Sequence, residues 1–171
     1  DRLGTASALM NLGTVAQQQG NYTDSRSRHE ESLGLMRELG DRSGIASNLL
    51  GLGVVARLQG RYAAARKLYE ESLSISTELG KRDGIAMLLG NLGNVAQCEG
   101  NYDQAMDCYS QSLNIRRELG DRSGIARTLN NLGELARMRG DYENARQHYE
   151  ESLRIRREIN DREGIASTLL N

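Results

Sequence analysis

A forty-residue period governs this chain. Gly20 recurs as Gly60, Gly100 and Gly140, and Tyr22 as Tyr62, Tyr102 and Tyr142. Leu12, Leu52, Leu92 and Leu132 keep the same interval, as do Gly13, Gly53, Gly93 and Gly133, and Ala16, Ala56, Ala96 and Ala136. Leu33, Leu73, Leu113 and Leu153 complete the frame. A period of this length marks a repeat architecture, in which no unit buries its apolar face alone and each is completed by its neighbour. The chain therefore reads as one array of four units, 1–40, 41–80, 81–120 and 121–160, with a partial fifth at 161–171.

Each unit divides into two helices. In the second, Ile45, Leu49, Leu52 and Ala56 are spaced i, i+4, i+7 and i+11, which sets them on one helical face. The pattern predicts a first helix, helix A, from an N-cap at Ser43 to about Gln59, stopped by Gly60 in the left-handed conformation. A second, helix B, opens at Arg61, where the other units hold Asn21, Asn101 and Asp141, and runs to a stop at Gly80. Asn101 to Gln104 has the spacing of a capping box. With no strand pattern and no proline, the expected fold class is all-α, a right-handed α-solenoid of stacked antiparallel helix pairs.

The aromatic residues are seven tyrosines, so the core must be built by Leu/Ile packing and close approach of small residues. Glycine kept mid-helix at 13, 53, 93 and 133 costs about 1 kcal/mol against alanine each time. The expected reason is a close helix A–helix B contact opposite Ser25, Ala65, Ala105 and Ala145. His29, Tyr69, Tyr109 and Tyr149 are then expected to fill the gap between successive pairs.

The stretch LLGLGVVARLQG, residues 49–60, offers a competing reading. Gly51-x-Gly53-x-x-Ala56 matches the dinucleotide-binding fingerprint, and Glu70 and Glu71 lie about 20 residues on, where a ribose-binding acid belongs. That motif needs a strand before it and a helix opening on its glycines, whereas these glycines fall inside a helical pattern. Gly53 and Ala56 recur in every unit, and Gly51 is replaced by Asn11, Asn91 and Asn131. No cofactor is expected, and Gly51→Asn is expected to be neutral or mildly stabilising.

The 22 basic and 23 acidic residues are evenly spread, so no basic face favours nucleic acid. Cys98 and Cys108, with His29 and His148, lack metal-site spacing, and no acid–nucleophile set is visible; neither a metal nor an enzymatic activity is expected. The two cysteines fit a reduced, cytoplasmic setting, and no apolar run is long enough to span a bilayer. Because the first residue is Asp, the chain is expected to be a piece of a longer one. Its apolar ends, Leu9 and Leu12 at one and Ile165, Leu169 and Leu170 at the other, are expected to favour head-to-tail self-association.

Leu52-Gly53, Ala56, Gly60, Tyr62, Ala65, Tyr69 and Ser72 resemble the tetratricopeptide repeat, and the resemblance covers the whole chain four times over. It departs in period, which is usually 34, and in the proline that ends helix B, replaced here by Thr77. The forty-residue form with its ELGDRxG linkers is similar to two groups. One is the adaptors named for Leu-Gly-Asn repeats, a tripeptide present as Leu92-Gly93-Asn94. The other, matched more densely through GIAxTLNNLGxLA and YEESLxIRRE, is the C-terminal sensor array of bacterial signal-transducing ATPases and transcription regulators. Either resemblance implies a protein–protein interaction module that binds a peptide or protein segment in its concave groove, as the sensor or scaffold part of a larger signalling protein. The alternative is a structural scaffold that self-associates by end-to-end stacking.

Helix A positions that differ between units mark where a partner would lie. Ser7, Ser47, Met87 and Arg127 form one such set; Met10, Leu50, Gly90 and Asn130 a second; Thr14, Val54, Asn94 and Glu134 a third; Gln18, Leu58, Cys98 and Met138 a fourth. Their spacing of three, four and four puts them on one stripe. The expected partner-binding residues are Leu50, Val54 and Met87 as an apolar anchor, with Asn91, Asn94, Arg127, Asn130, Asn131 and Arg137 as polar contacts. In the Leu-Gly-Asn adaptors such arginines and asparagines hold acidic, extended segments, which is what the resemblance implies for Arg127, Asn131, Asn91 and Asn94. Arg116, Arg117, Arg154, Arg156 and Arg157 on helix B are expected to form a solvated outer face.

Overall fold

Glycine or asparagine in the left-handed region ends every helix-to-helix turn, and that sets the architecture. Gly20, Gly40, Gly60, Gly80, Gly100, Gly120 and Gly140 have φ between 66° and 78°, and Asn160 takes the same part at φ 57°. At Gly60 the turn is closed by Gly60 N–H to Arg57 O (2.9 Å) and Arg61 N–H to Ala56 O (2.9 Å), which satisfies carbonyls the helix leaves open. The structure, a computed structural model, describes residues 1–169. These form α1 (Arg2–Gln18), α2 (Tyr22–Leu39), α3 (Arg42–Leu58), α4 (Tyr62–Glu78), α5 (Arg82–Cys98), α6 (Tyr102–Leu119), α7 (Arg122–Met138), α8 (Tyr142–Glu158) and α9 (Arg162–Leu169). No strand occurs among the described residues.

The chain divides into two compact units, Asp1–Asn91 and Leu92–Asn171. In the first, α1 packs on α2, α2 on α3 and α3 on α4. Arg2 at the start of α1 pairs with Glu38 at the end of α2, and Arg42 with Glu78 in α3 and α4, so each pair runs antiparallel. The core gathers Ala6, Leu33, Met36, Ile45, Ala46, Leu49, Leu52 and Ile75. In the second, α6 packs on α7, α7 on α8 and α8 on α9, and Arg122 pairs with Glu158. Its core includes Tyr109, Leu113, Ile125, Leu129, Leu132, Leu135 and Ile155. The fold class is all-α, with each unit built from consecutive antiparallel helix pairs. In the pairs α1–α2, α3–α4 and α7–α8 a buried helix-B serine donates to a helix-A carbonyl: Ser32 to Ala6 (2.7 Å), Ser72 to Ala46 (2.8 Å) and Ser152 to Ala126 (2.8 Å).

Helix A starts earlier than its sequence suggests. The cap of α3 is Asp41, whose carboxylate accepts from Gly44 N–H at 3.0 Å, and Asp121 does the same for Gly124 at 2.8 Å. Ser43 lies inside the first turn, because the left-handed Gly40 already redirects the chain. At Asn101 no side-chain cap bond forms, so the capping box is not realised, whereas Asn21 and Asp141 do cap their helices.

The mid-helix glycines make room for rings, not for the alanines opposite. A Cβ at Gly53 would lie 2.6 Å from Tyr69 Cδ1, one at Gly93 2.5 Å from Tyr109 Cε1, and one at Gly133 2.7 Å from Tyr149 Cε1. Tyr69 and Tyr109 are fully buried. Gly51 is equally constrained: a Cβ there would meet His29 Cε1 at 2.5 Å and Nε2 at 2.7 Å. The expectation that Gly51→Asn is neutral is therefore corrected. At the chain ends, Leu9 is buried, Leu3, Leu12 and Val15 are about half exposed, and Leu169 is 64 % exposed; Leu170 lies outside the described residues.

Candidate functional site

In the second unit the expected asparagines come together. Asn94 on α5 accepts at Oδ1 from Asn131 Nδ2 on α7 (3.2 Å) and from the Tyr109 hydroxyl on α6 (2.7 Å). Tyr109 also reaches Gln97 Oε1 at 2.8 Å. Two carboxamides on neighbouring A helices are thus oriented by a buried tyrosine, and both stay half-buried rather than closed off. Asn130 is half-buried beside them in sequence.

The two arginines differ. Arg137 bonds Glu134 through Nε (3.0 Å) and Nη2 (2.6 Å), and Tyr149 donates to the same carboxylate at 3.1 Å. The Arg137 bonds and the Tyr149 hydroxyl hold Glu134 below the usual carboxylate range. Arg127 is exposed, and among the described residues no carboxylate pairs with it. Its charge is felt by Arg116, which burial first and then Arg127 pull below the usual arginine range.

Arg116 and Arg156 overturn the expected solvated outer face. They are 5 % and 8 % exposed, with Nε against the Ser112 and Ser152 hydroxyls (3.2 and 3.3 Å) and Nη1 on the carboxylates of Asp121 and Asp161. The linker aspartate lets a guanidinium be buried with a partner, where isolated burial would be costly. Arg117, Arg154 and Arg157 are exposed as expected.

In the first unit, Leu50, Val54 and Asn91 are half-buried and Met87 is exposed. Leu50 and Met87 line one cleft with Ser47, Ser72 and Ser76; Val54 does not. Val54 holds the register position of Asn94, and the Tyr69 hydroxyl is pushed up to about 12 by burial, with the Arg57 guanidinium acting the other way.

A polar core in this unit escaped the sequence reading. Asn48, fully buried on α3, donates through Nδ2 to Ser32 Oγ (2.9 Å) and Gly44 O (3.0 Å). Its Oδ1 is thereby the acceptor facing His29 Nδ1 at 3.1 Å, so His29 carries its proton on Nδ1. His29 Nε2 is buried with no partner among the described residues. Burial, partly offset by the Asn48 bond, holds His29 below the ordinary histidine value of 6.5. The unfolded chain then binds the extra proton, so this contribution to stability is complete above about pH 6.5 and is lost as pH falls towards the folded pKa. Melting between pH 7.5 and 5 is expected to show that loss. It should shrink in His29→Gln and again in His148→Gln, since burial lowers His148 too.

Among the described residues no group of three His, Cys, Asp or Glu could hold a metal ion, and no helix is long and apolar enough to cross a membrane. Cys98 is exposed and Cys108 buried, and no disulfide joins them.

A model of the tetratricopeptide repeat matches residues 4–78 and 84–158. The chain belongs to the tetratricopeptide-repeat family. Solved structures share its fold. BtubC from P. vanneervenii superposes with a TM-score of 0.80 at 24% identity, over 92% of this chain and 64% of that one. The apo form of RapI gives 0.89 at 20%, over 98% and 61%. The Rap conjugation regulator of plasmid pLS20, solved in complex with a Phr peptide, gives 0.89 at 18%, over 98% and 46%. A signal-transduction ATPase with a tetratricopeptide sensor from Pyrococcus horikoshii gives 0.85 at 14%, over 98% and 26%. The chain thus spans less than two thirds of each of these proteins. A comparison with curated protein sequences gives no match. For a tetratricopeptide-repeat chain, the informative residues are those that leave the repeat frame, and these are the ones collected above.

Proposed function

We propose that this chain is a protein–protein interaction module that holds an extended, acidic peptide or protein segment along its A-helix face. It would serve as the sensor or scaffold part of a larger cytoplasmic signalling protein, and the single array of units 1–40, 41–80, 81–120, 121–160 and 161–171 would supply that face. The observation that carries this reading is the Asn94–Asn131 pair, oriented by Tyr109, together with Arg127 on the same helix as Asn131, which no carboxylate among the described residues pairs with. Carboxamides present a donor and an acceptor together, the set needed to hold a peptide main chain. An exposed guanidinium without a carboxylate favours an acidic side chain. Peptide binding by the pLS20 Rap regulator is consistent with the reading. Leu50, Val54, Met87 and Asn91 would act in the first unit, and Asn130 and Arg137 would flank the second, with Arg137 contributing less because Glu134 holds it. The exposed Leu3, Leu12 and Val15 favour a second reading, contact between copies of this chain, which sedimentation over a wide concentration range separates from the first.

The test is calorimetric titration with an acidic extended peptide selected from a synthetic library. Arg127→Glu is expected to weaken binding by at least about 1 kcal/mol, and more so at low salt, because it turns attraction into repulsion. The control is Arg157→Glu, exposed on α8, since Arg156 is buried against Asp161. An Arg157 effect exceeding that of Arg127 would move the binding face to the B helices.

A further inference from the structure

One register position near the end of each B helix is held by Met36, Ser76, Arg116 and Arg156 in turn. Three of the four fill the same local space. Met36 is 2 % exposed and lies against Gly44, where an added Cβ would collide with its sulfur. Arg116 and Arg156 lie against Gly124 and Gly164 in the same way. Ser76 is too short to do so. A Cβ at Gly84 would find nothing nearer than 3.6 Å, the Ser76 hydroxyl. What remains between α3, α4 and the start of α5 is a cleft of about 180 Å³. A cavity of about 150 Å³ is already large enough for a benzene ring, so this one has room for a side chain.

Two further features mark the cleft. The serines at 32, 112 and 152 receive hydrogen bonds from Asn48, Arg116 and Arg156. Ser72, in the cleft, donates to Ala46 O and receives none from a described residue. The linker acid that neutralises the buried arginines, Asp121 and Asp161, is Lys81 here, whose ammonium bonds Ser43. A guanidinium entering this cleft would meet the Lys81 ammonium where its counterparts meet a carboxylate, and the acid that lines this cleft, Asp83, is an exposed residue two positions further along the chain. A neutral, unbranched chain such as Met36 fits without that penalty, and a thioether adapts to an irregular gap.

We propose that the cleft beside Ser76 is a side-chain pocket for a bound peptide, and that it takes methionine or an equally long unbranched neutral residue and rejects arginine. Leu50 and Met87, both on the proposed A-helix face, line its walls, so the pocket rests on the peptide-binding reading and refines it. The probe is a library of extended synthetic peptides in which each position is fixed in turn as Met, norleucine, Arg or Asp. It is titrated against the native chain, Ser76→Met, Ser74→Met and Lys81→Asp. The native chain is expected to prefer Met or norleucine over Arg at one position by tenfold or more. Ser76→Met, which plugs the cleft from within, should abolish that preference with a melting temperature at or above the native one. Ser74→Met, exposed on the same helix, should keep it. Lys81→Asp should turn the preference towards Arg. Peptide binding without a Met-over-Arg preference, or a preference that survives in a folded Ser76→Met, overturns the pocket and leaves the interaction module standing. Failure of the native chain to bind any peptide overturns both.

Discussion

Gly53→Leu is expected to destabilise the Asp1–Asn91 unit by about 3 kcal/mol or more, a shift plain in thermal or urea melts. The first added atom already falls 2.6 Å from Tyr69 Cδ1, and that ring is fully buried, with no free side to move into. Relief requires α3 and α4 to separate along a contact that also includes the Ser72–Ala46 hydrogen bond. Gly34→Ala is the control. Gly34 is helical and exposed, with nothing within 4 Å of a new Cβ, so the substitution should stabilise by roughly 0.5–1 kcal/mol through helix propensity alone. Comparable losses at both sites would mean that the ring contact is not what holds Gly53.

Asn48→Ala is expected to cost roughly 2–4 kcal/mol, because it strands buried groups on both sides of the amide. His29 Nδ1–H loses its acceptor, Ser32 loses its donor, and Nε2 of the same ring already has no partner among the described residues. Gly51→Asn should act on the same ring from the other side by driving a side chain into it, with a loss of about 1–3 kcal/mol. Most of that loss should disappear in a His29→Ala background. Hydrogen exchange within residues 1–91 is the sharper readout, since opening in repeat proteins is local. A Gly51→Asn chain as stable as the native one would show that the ring can turn away.

The repeat frame was legible because it is written redundantly: four helix-A glycines facing helix-B rings and a left-handed residue at each turn say the same thing at the same interval. Asn94 and Asn131 were legible as deviations on one helical stripe, and they do meet. What stayed hidden were concerted departures. His29, Asn48 and Gly51 leave the frame together, and a reading that compares one column at a time takes each for drift. Ser76 and Lys81 depart together in the same way, as a lost plug and a lost countercharge. Arg116 and Arg156 look like surface residues because nothing in a linear pattern says that a carboxylate five residues on will follow them inside. The Asp41 cap was missed in favour of Ser43 because both are good caps, and only the left-handed Gly40 decides between them.

The hydrogen bonds running from His29 through Asn48 and Ser32 to the Ala6 carbonyl all point one way, so the imidazole has one permitted tautomer. That gives the molecule a resident spectroscopic reporter. In nitrogen-15 spectra Nε2 would resonate as a bare, pyridine-like nitrogen and Nδ1 as a protonated one. Any event that loosens the first two helix pairs, whether a ligand, a mutation or a neighbouring domain, would let the two tautomers exchange. The signal would broaden before any helix is lost, from a residue that itself touches no partner.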